Sequence, residues 1–253
     1  MRRPSGYQNS CKLALLRCLW ERHSPPSILE SALPQTPRTT VARQRDRGRY
    51  DRDTINAIID ESLICHVGFS VDGQPYVIPT THARVDDRLY IHGSVGSRML
   101  KNMKQGVPVC VTMTLLDGLV LARSAFHHSM NYRSAVILGV AQEVTDEQEK
   151  RSAFDALVNH VVPGRAADVR AADAQELKAT SVLRLGLEEA SAKVRRGPPI
   201  DAEEDYALTC WAGVLPLQLL PGHPIDDPRL ELGTPVPASV ATYRRQRSPS
   251  DID

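Results

Sequence analysis

The 253-residue chain has few aromatic residues, 5% Phe, Trp and Tyr together. That excludes the dense aromatic platform on which nucleic-acid bases stack. No apolar run approaches the roughly 18–20 residues that a membrane-spanning helix requires. The five cysteines (Cys11, Cys18, Cys65, Cys110 and Cys210) are odd in number and never form a C-x-x-C pair. A disulfide framework or a structural zinc site would space its thiols otherwise, so a reducing, cytoplasmic setting is expected. The chain also lacks G-x-G-x-x-G and G-x-x-x-x-G-K-[ST], which disfavours a Rossmann or P-loop nucleotide fold.

Charge of one sign is absent overall, with 31 basic against 30 acidic residues. The near-zero sum hides a division. Residues 1–50 hold ten Lys/Arg against three Asp/Glu, and the remainder holds 21 against 27. A net of +7 therefore precedes a body of −6. No polyanion binder is indicated, and neither nucleic acid nor membrane is an expected partner. Residues 1–48 read as a basic, disordered leader rich in Pro, Ser and Arg, too polar to bury a core. Within it Lys12–Trp20 could form one amphipathic helix, and its basic character leaves a mitochondrial leader open. Arg38–Arg49 reads as a basic approach that could lie across an acidic surface or a ligand phosphate.

What is present is a run of strand signals over residues 49–222, expected as one domain and followed by a Pro-rich arm, 223–253. Asp51-x-x-Thr54 opens a helix with apolar spacing at Ile55, Ile58, Ile59 and Leu63. Strands follow at Leu63–Val71 and Pro75–Val85 around the hairpin signal Asp72-Gly73, and at Arg88–His92 after Asp86-Asp87. A short helix is expected over Ser97–Met103. A second hairpin is expected over Val107–Arg123 around Asp117-Gly118. One long strand, Tyr132–Val144, a helix over Asp146–Val162, and strands at Thr180–Leu187 and Ala207–Leu219 complete the reading. The expected fold is mainly β with peripheral helices (α+β), a six- to seven-stranded antiparallel barrel.

The most informative segment is YIHGSVGSRMLKNMK, residues 90–104. A strand ends in a Gly/Ser loop, and a helix begins at Ser97 with Arg98 in its first turn. Such a start suits an anion: Arg98 supplies a fork for phosphate oxygens, Ser97 a hydroxyl, and Lys101 or Lys104 a further charge. The plainer alternative is a capping Ser97 and a solvated Arg98. His127 and His128 with His82 and His66 could suggest metal or haem. Adjacent histidines on a strand face opposite ways, however, so no metal site is expected.

Four pieces in this order, GFSVDGQPYVIPT, LYIHGSVGSRML, HHSMNYRSAVILGVAQEV and LKATSVLRL, resemble the FMN-binding split barrels of the pyridoxamine 5′-phosphate oxidase superfamily. The nitroimidazole-resistance branch is the nearest in pattern, and the resemblance spans roughly residues 36–220. It implies a homodimer with FMN at the subunit interface and a redox reaction on a small organic molecule. It places the flavin phosphate on Ser97 and Arg98, Pro79 and Thr80 beneath the isoalloxazine, and His92 beside the flavin as a proton donor or a ribityl contact. Arg133 or Lys193 would stabilise the reduced ring or form an interface salt bridge. The oxidase's terminal Arg- and His-bearing segment has no counterpart in DYALTCWAGVLPLQLL, which makes vitamin B6 oxidation doubtful. A non-catalytic flavin carrier, a deazaflavin-using reductase and a haem-binding relative with His127 or His128 as axial ligand are the rival readings.

Overall fold

The computed structural model describes residues 32–244. The expectations for Lys12–Trp20 and for the last residues of the arm lie outside them. Among the described residues, eleven strands form two antiparallel sheets. The larger takes the order β1-β10-β7-β6-β2-β3, with β11 added along β6. Its strands are β1 (Gly48–Arg49), β2 (Cys65–Val71), β3 (Gln74–Thr80), β6 (Val109–Leu121), β7 (Ser129–Gly139), β10 (Ala190–Arg195) and β11 (Gly213–Pro216). The smaller takes the order β4-β5-β9-β8, from β4 (His82–Val85), β5 (Arg88–Ser94), β8 (Gln142–Glu143) and β9 (Thr180–Gly186). Both sheets give side chains to one core, including Val67, Ile91, Met113, Ile137 and Leu183. This is the expected antiparallel split barrel with peripheral helices.

Local chemistry explains the element borders. Helix α1 (Arg52–Glu61) starts where the Asp51 carboxylate accepts the Thr54 N–H at 2.8 Å, and it buries Ile55, Ile58 and Ile59. Asp72 and Gly73, both at positive φ, close the β2–β3 hairpin, as the sequence signal requires. The chain then leaves one sheet for the other between Thr80 and His82, so the expected single strand Pro75–Val85 is two. Helix α2 (Arg98–Lys104) buries Met99, Leu100 and Met103. Helix α3 (Glu147–Val161), capped by Asp146, covers the outer face of the small sheet through Ala153 and Phe154. Helix α4 (Ala174–Ala179) is set by an Asp173–Glu176 capping box. A last short helix, α5, spans Ala238–Ala241.

Three expectations are corrected. Val107–Arg123 is no hairpin but the single strand β6, in which Asp117-Gly118 forms a bulge. Burial along β6 falls on odd positions up to Leu115 and on even ones from Gly118, as one inserted residue demands. Tyr132–Val144 is two strands, because β8 leaves β7 to pair with β9. Ala207–Leu219 holds only the four-residue β11, preceded by a 3₁₀ turn at Glu203–Ala207. Strand β10 was not anticipated, since Ala-Ser-Ala-Lys-Val-Arg offers little β-branched character. The body also begins earlier than residue 49: Leu33 lies in the core, and Arg38 pairs with Glu189.

Candidate functional site

The sequence-predicted residues fall in three places. Ser97 and Arg98 follow the loop between β5 and α2. The Ser97 side chain makes no capping bond, so its hydroxyl is unspent. The Arg98 guanidinium is exposed and sits 5.3 Å from the centre of the Tyr76 ring of β3. No carboxylate among the described residues pairs with it. Lys101, one turn on, is exposed, whereas Lys104 is tied to Glu143. The exposed end of β3 carries Pro79, with the half-buried Thr80 opposite Cys65 and Val77 and Ile78 open to solvent. Ser97, Arg98 and Tyr76 thus make a polar corner beside an exposed apolar edge strand.

His92 is not directed to this corner. Alternation along β5 sends Leu89 and Ile91 to the main core, and Tyr90 and His92 toward α3. The His92 ring meets Phe154 edge-on at 6.1 Å, and its Nδ1 is buried without a hydrogen-bond partner. Burial lowers its pKa from the ordinary histidine value.

Arg133 and Lys193 stand on β7 and β10. The Arg133 guanidinium is buried and shared by Glu61 and Asp117, which favours its charged form despite the desolvation that opposes it. It joins the end of α1 to the bulge of β6, an ion-paired structural position. Lys193 is half-buried, on the face of β10 opposite Val194.

A third group surrounds the β6–β7 loop. The His128 Nδ1–H donates to the Ser124 carbonyl at 2.9 Å, and the His127 Nδ1 lies 2.7 Å from the Ser124 hydroxyl. Each arrangement holds the ring by one nitrogen and leaves Nε2 for a ligand. His127 also approaches Asp201 and Asp205, with ligand atoms of all three within 4.8 Å. Asp201 already accepts the Arg123 N–H and Nη1–H at 2.9 and 3.0 Å, so its charge is matched. Phe126, 89% exposed, projects from the same turn.

An antiparallel split barrel with this strand order and peripheral helices is the fold of the flavin-binding split barrels. Residues 51–194 match the family described as pyridoxamine 5′-phosphate oxidase, and the chain belongs to it. Among solved structures it is similar to the flavocytochrome Anf3 of Azotobacter vinelandii, with 41% identity and a TM-score of 0.78 over 83% of this chain and 98% of that one. It is similar also to the FAD- and haem-binding protein of Mycobacterium smegmatis, with 39% identity and a TM-score of 0.75 over 77% and 96%. A 5-nitroimidazole antibiotic resistance protein of Bacteroides thetaiotaomicron shares 26% identity at a TM-score of 0.50, over 58% and 86%. A comparison with curated proteins gives no match.

Proposed function

We propose that this chain is a flavin-dependent redox protein of the flavocytochrome kind, holding a flavin at the β5–α2 corner and a haem at the β6–β7 loop. The observation that carries the reading is the similarity, along nearly their whole length, to a flavocytochrome and to an FAD- and haem-binding protein. That similarity favours FAD over the FMN expected from sequence. When bound, the flavin supplies hydride and single-electron transfer, and the haem one-electron transfer.

The chain's own residues fit both groups. Arg98 and Ser97 offer a charged fork and a free hydroxyl to a phosphate, Lys101 adds charge, and Tyr76 fixes the Arg98 plane. Pro79 and Thr80 would face the flavin from an edge strand that offers apolar contact. His128 offers Nε2 to iron, its tautomer set by the Ser124 carbonyl, and Phe126 offers an apolar ring to a porphyrin face. Apolar side chains exposed on either side of β11, Trp211 before it and Leu219, Leu220 and Ile225 after it, support a homodimer. A small organic molecule remains the proposed substrate.

Freshly purified protein should show flavin bands and a Soret band, and chromatography of the released flavin should identify FAD. His128→Ala should remove the Soret band and leave the flavin bands. Arg98→Ala should weaken flavin binding about tenfold or more. Colourless protein that takes up neither added flavin nor hemin would sink the reading.

A further inference from the structure

At the other edge of the large sheet, where β1 pairs with β10, a cleft of about 550 Å³ opens. That volume lies within the range of small-molecule sites. Ile58, Val194 and Ile200 give it apolar wall; Arg47, Arg49 and Arg195 give it positive charge, which outweighs the two carboxylates on its lining, Asp46 and Asp53.

Arg195 is the informative member. It is only 6% exposed, yet its Nη groups donate to neutral acceptors alone: Asn131 Oδ1 and the carbonyls of Gly197 and Pro198, the latter two at 3.2 Å. Its Nε is buried without a partner. No carboxylate among the described residues compensates it. Burial, and after it the like-signed Arg47, hold its pKa below the ordinary arginine value, with only Tyr132 pulling the other way. Arg133, the other strongly buried arginine among the described residues, is matched by two carboxylates. A buried guanidinium facing another cation is disfavoured unless an anion joins it.

We propose that this cleft binds a small organic anion, its phosphate or carboxylate seated between Arg195 and Arg47 and its apolar part against Ile58, Val194 and Ile200. The site does not rest on the flavin reading, since Arg98 and β3 stand at the opposite end of the strand order. The anion is either a free small molecule or an acid group of a bound cofactor.

Inorganic pyrophosphate and succinate, titrated separately into the protein as purified at low salt, distinguish these sources. If the anion is free, one of them should bind and raise the melting temperature by about 5 °C at a hundredfold excess over Kd. Arg47→Ala should weaken that binding about tenfold. Arg195→Gln should abolish it while melting no lower than the wild type without anion, because its uncompensated charge is gone. Arg98→Ala should keep the response. If a cofactor's own acid group fills the cleft, the wild type will not respond, and Arg47→Ala and Arg195→Gln will each copurify with less cofactor. An unchanged response in both cleft variants overturns the proposal. So does an unresponsive wild type whose cleft variants keep their full cofactor.

Discussion

The carbonyls at the end of α1 are satisfied by histidines. The His82 Nε2–H donates to the Ile59 carbonyl at 3.0 Å, and the His160 Nε2–H donates to the Ser62 carbonyl at 2.7 Å, with the two rings 4.6 Å apart. The Ile59 oxygen is among the last four of the helix and has no intrahelical donor. His82 is fully buried, with Nδ1 unpartnered. Burial, and secondarily the neighbouring His160, push its pKa down to about 4 against the favourable pull of the Ile59 carbonyl and Asp60. The native state therefore keeps His82 neutral where the unfolded chain takes up a proton. The stability this contributes is present in full above about pH 6.5 and is lost as pH falls toward 4. The unfolding free energy from urea titrations should drop between those pH values by an amount on the order of 3 kcal/mol. His82→Gln should flatten that dependence while lowering stability at neutral pH. A wild-type profile as flat as the variant's would refute the assignment.

At the scale of elements, the bulge in β6 decides where the chain goes after the barrel closes. A Cβ on Gly118 would lie 3.0 Å from Val214 Cγ1 and 3.2 Å from the Leu215 carbonyl, so the missing side chain lets β11 pair there without pushing its own atoms aside. Gly118→Val should cost about 1–3 kcal/mol and free the segment from residue 213 onward. Limited proteolysis should then cut near Gly213 in the variant and spare it in the wild type. Equal resistance in both would show that β11 does not need the glycine. The same dipeptide shows what was legible in sequence. Asp72-Gly73 and Asp117-Gly118 carry the same local signal. The first is a turn because both flanks keep their register, and the second a bulge because Arg133 draws Asp117 into an ion pair while β11 crosses the glycine. Local pattern revealed α1, α2 and α3, the barrel class and the loop that carries Ser97 and Arg98, but not α4 with its capping box or α5. It missed β10, whose small residues carry no strand signature, and with it Arg195. The basic approach Arg38–Arg49 was visible, but its meeting with β10 depends on a pairing, Gly48 with Lys193, that spans most of the body.

For the whole molecule, the charge division acquires a location. Part of the basic leader belongs to the body, where Arg38 meets Glu189 and Arg47 and Arg49 line the cleft. Beyond β11 the chain carries large apolar side chains outward: Leu219 is 61%, Leu220 70% and Ile225 95% exposed. Scattered exposed leucines need no explanation, but a succession of side chains outside the core, before the chain returns at Ser239 to donate to Asp168, does. Burying these side chains against a second copy would gain about 25 cal/mol for each Å² of apolar surface removed from water. Among the described residues no helix is long and apolar enough to cross a membrane, so the arm does not continue into such a span there. The Leu220→Glu/Ile225→Glu double variant places two charges where an interface would desolvate them and leaves the barrel core untouched. Sedimentation should give twice the 27.9 kDa chain mass for the wild type and a single chain mass for the variant, with little change in the urea midpoint of the monomeric barrel. A variant that still sediments at double mass would remove the arm from the interface. A wild type of single mass would remove the dimer itself.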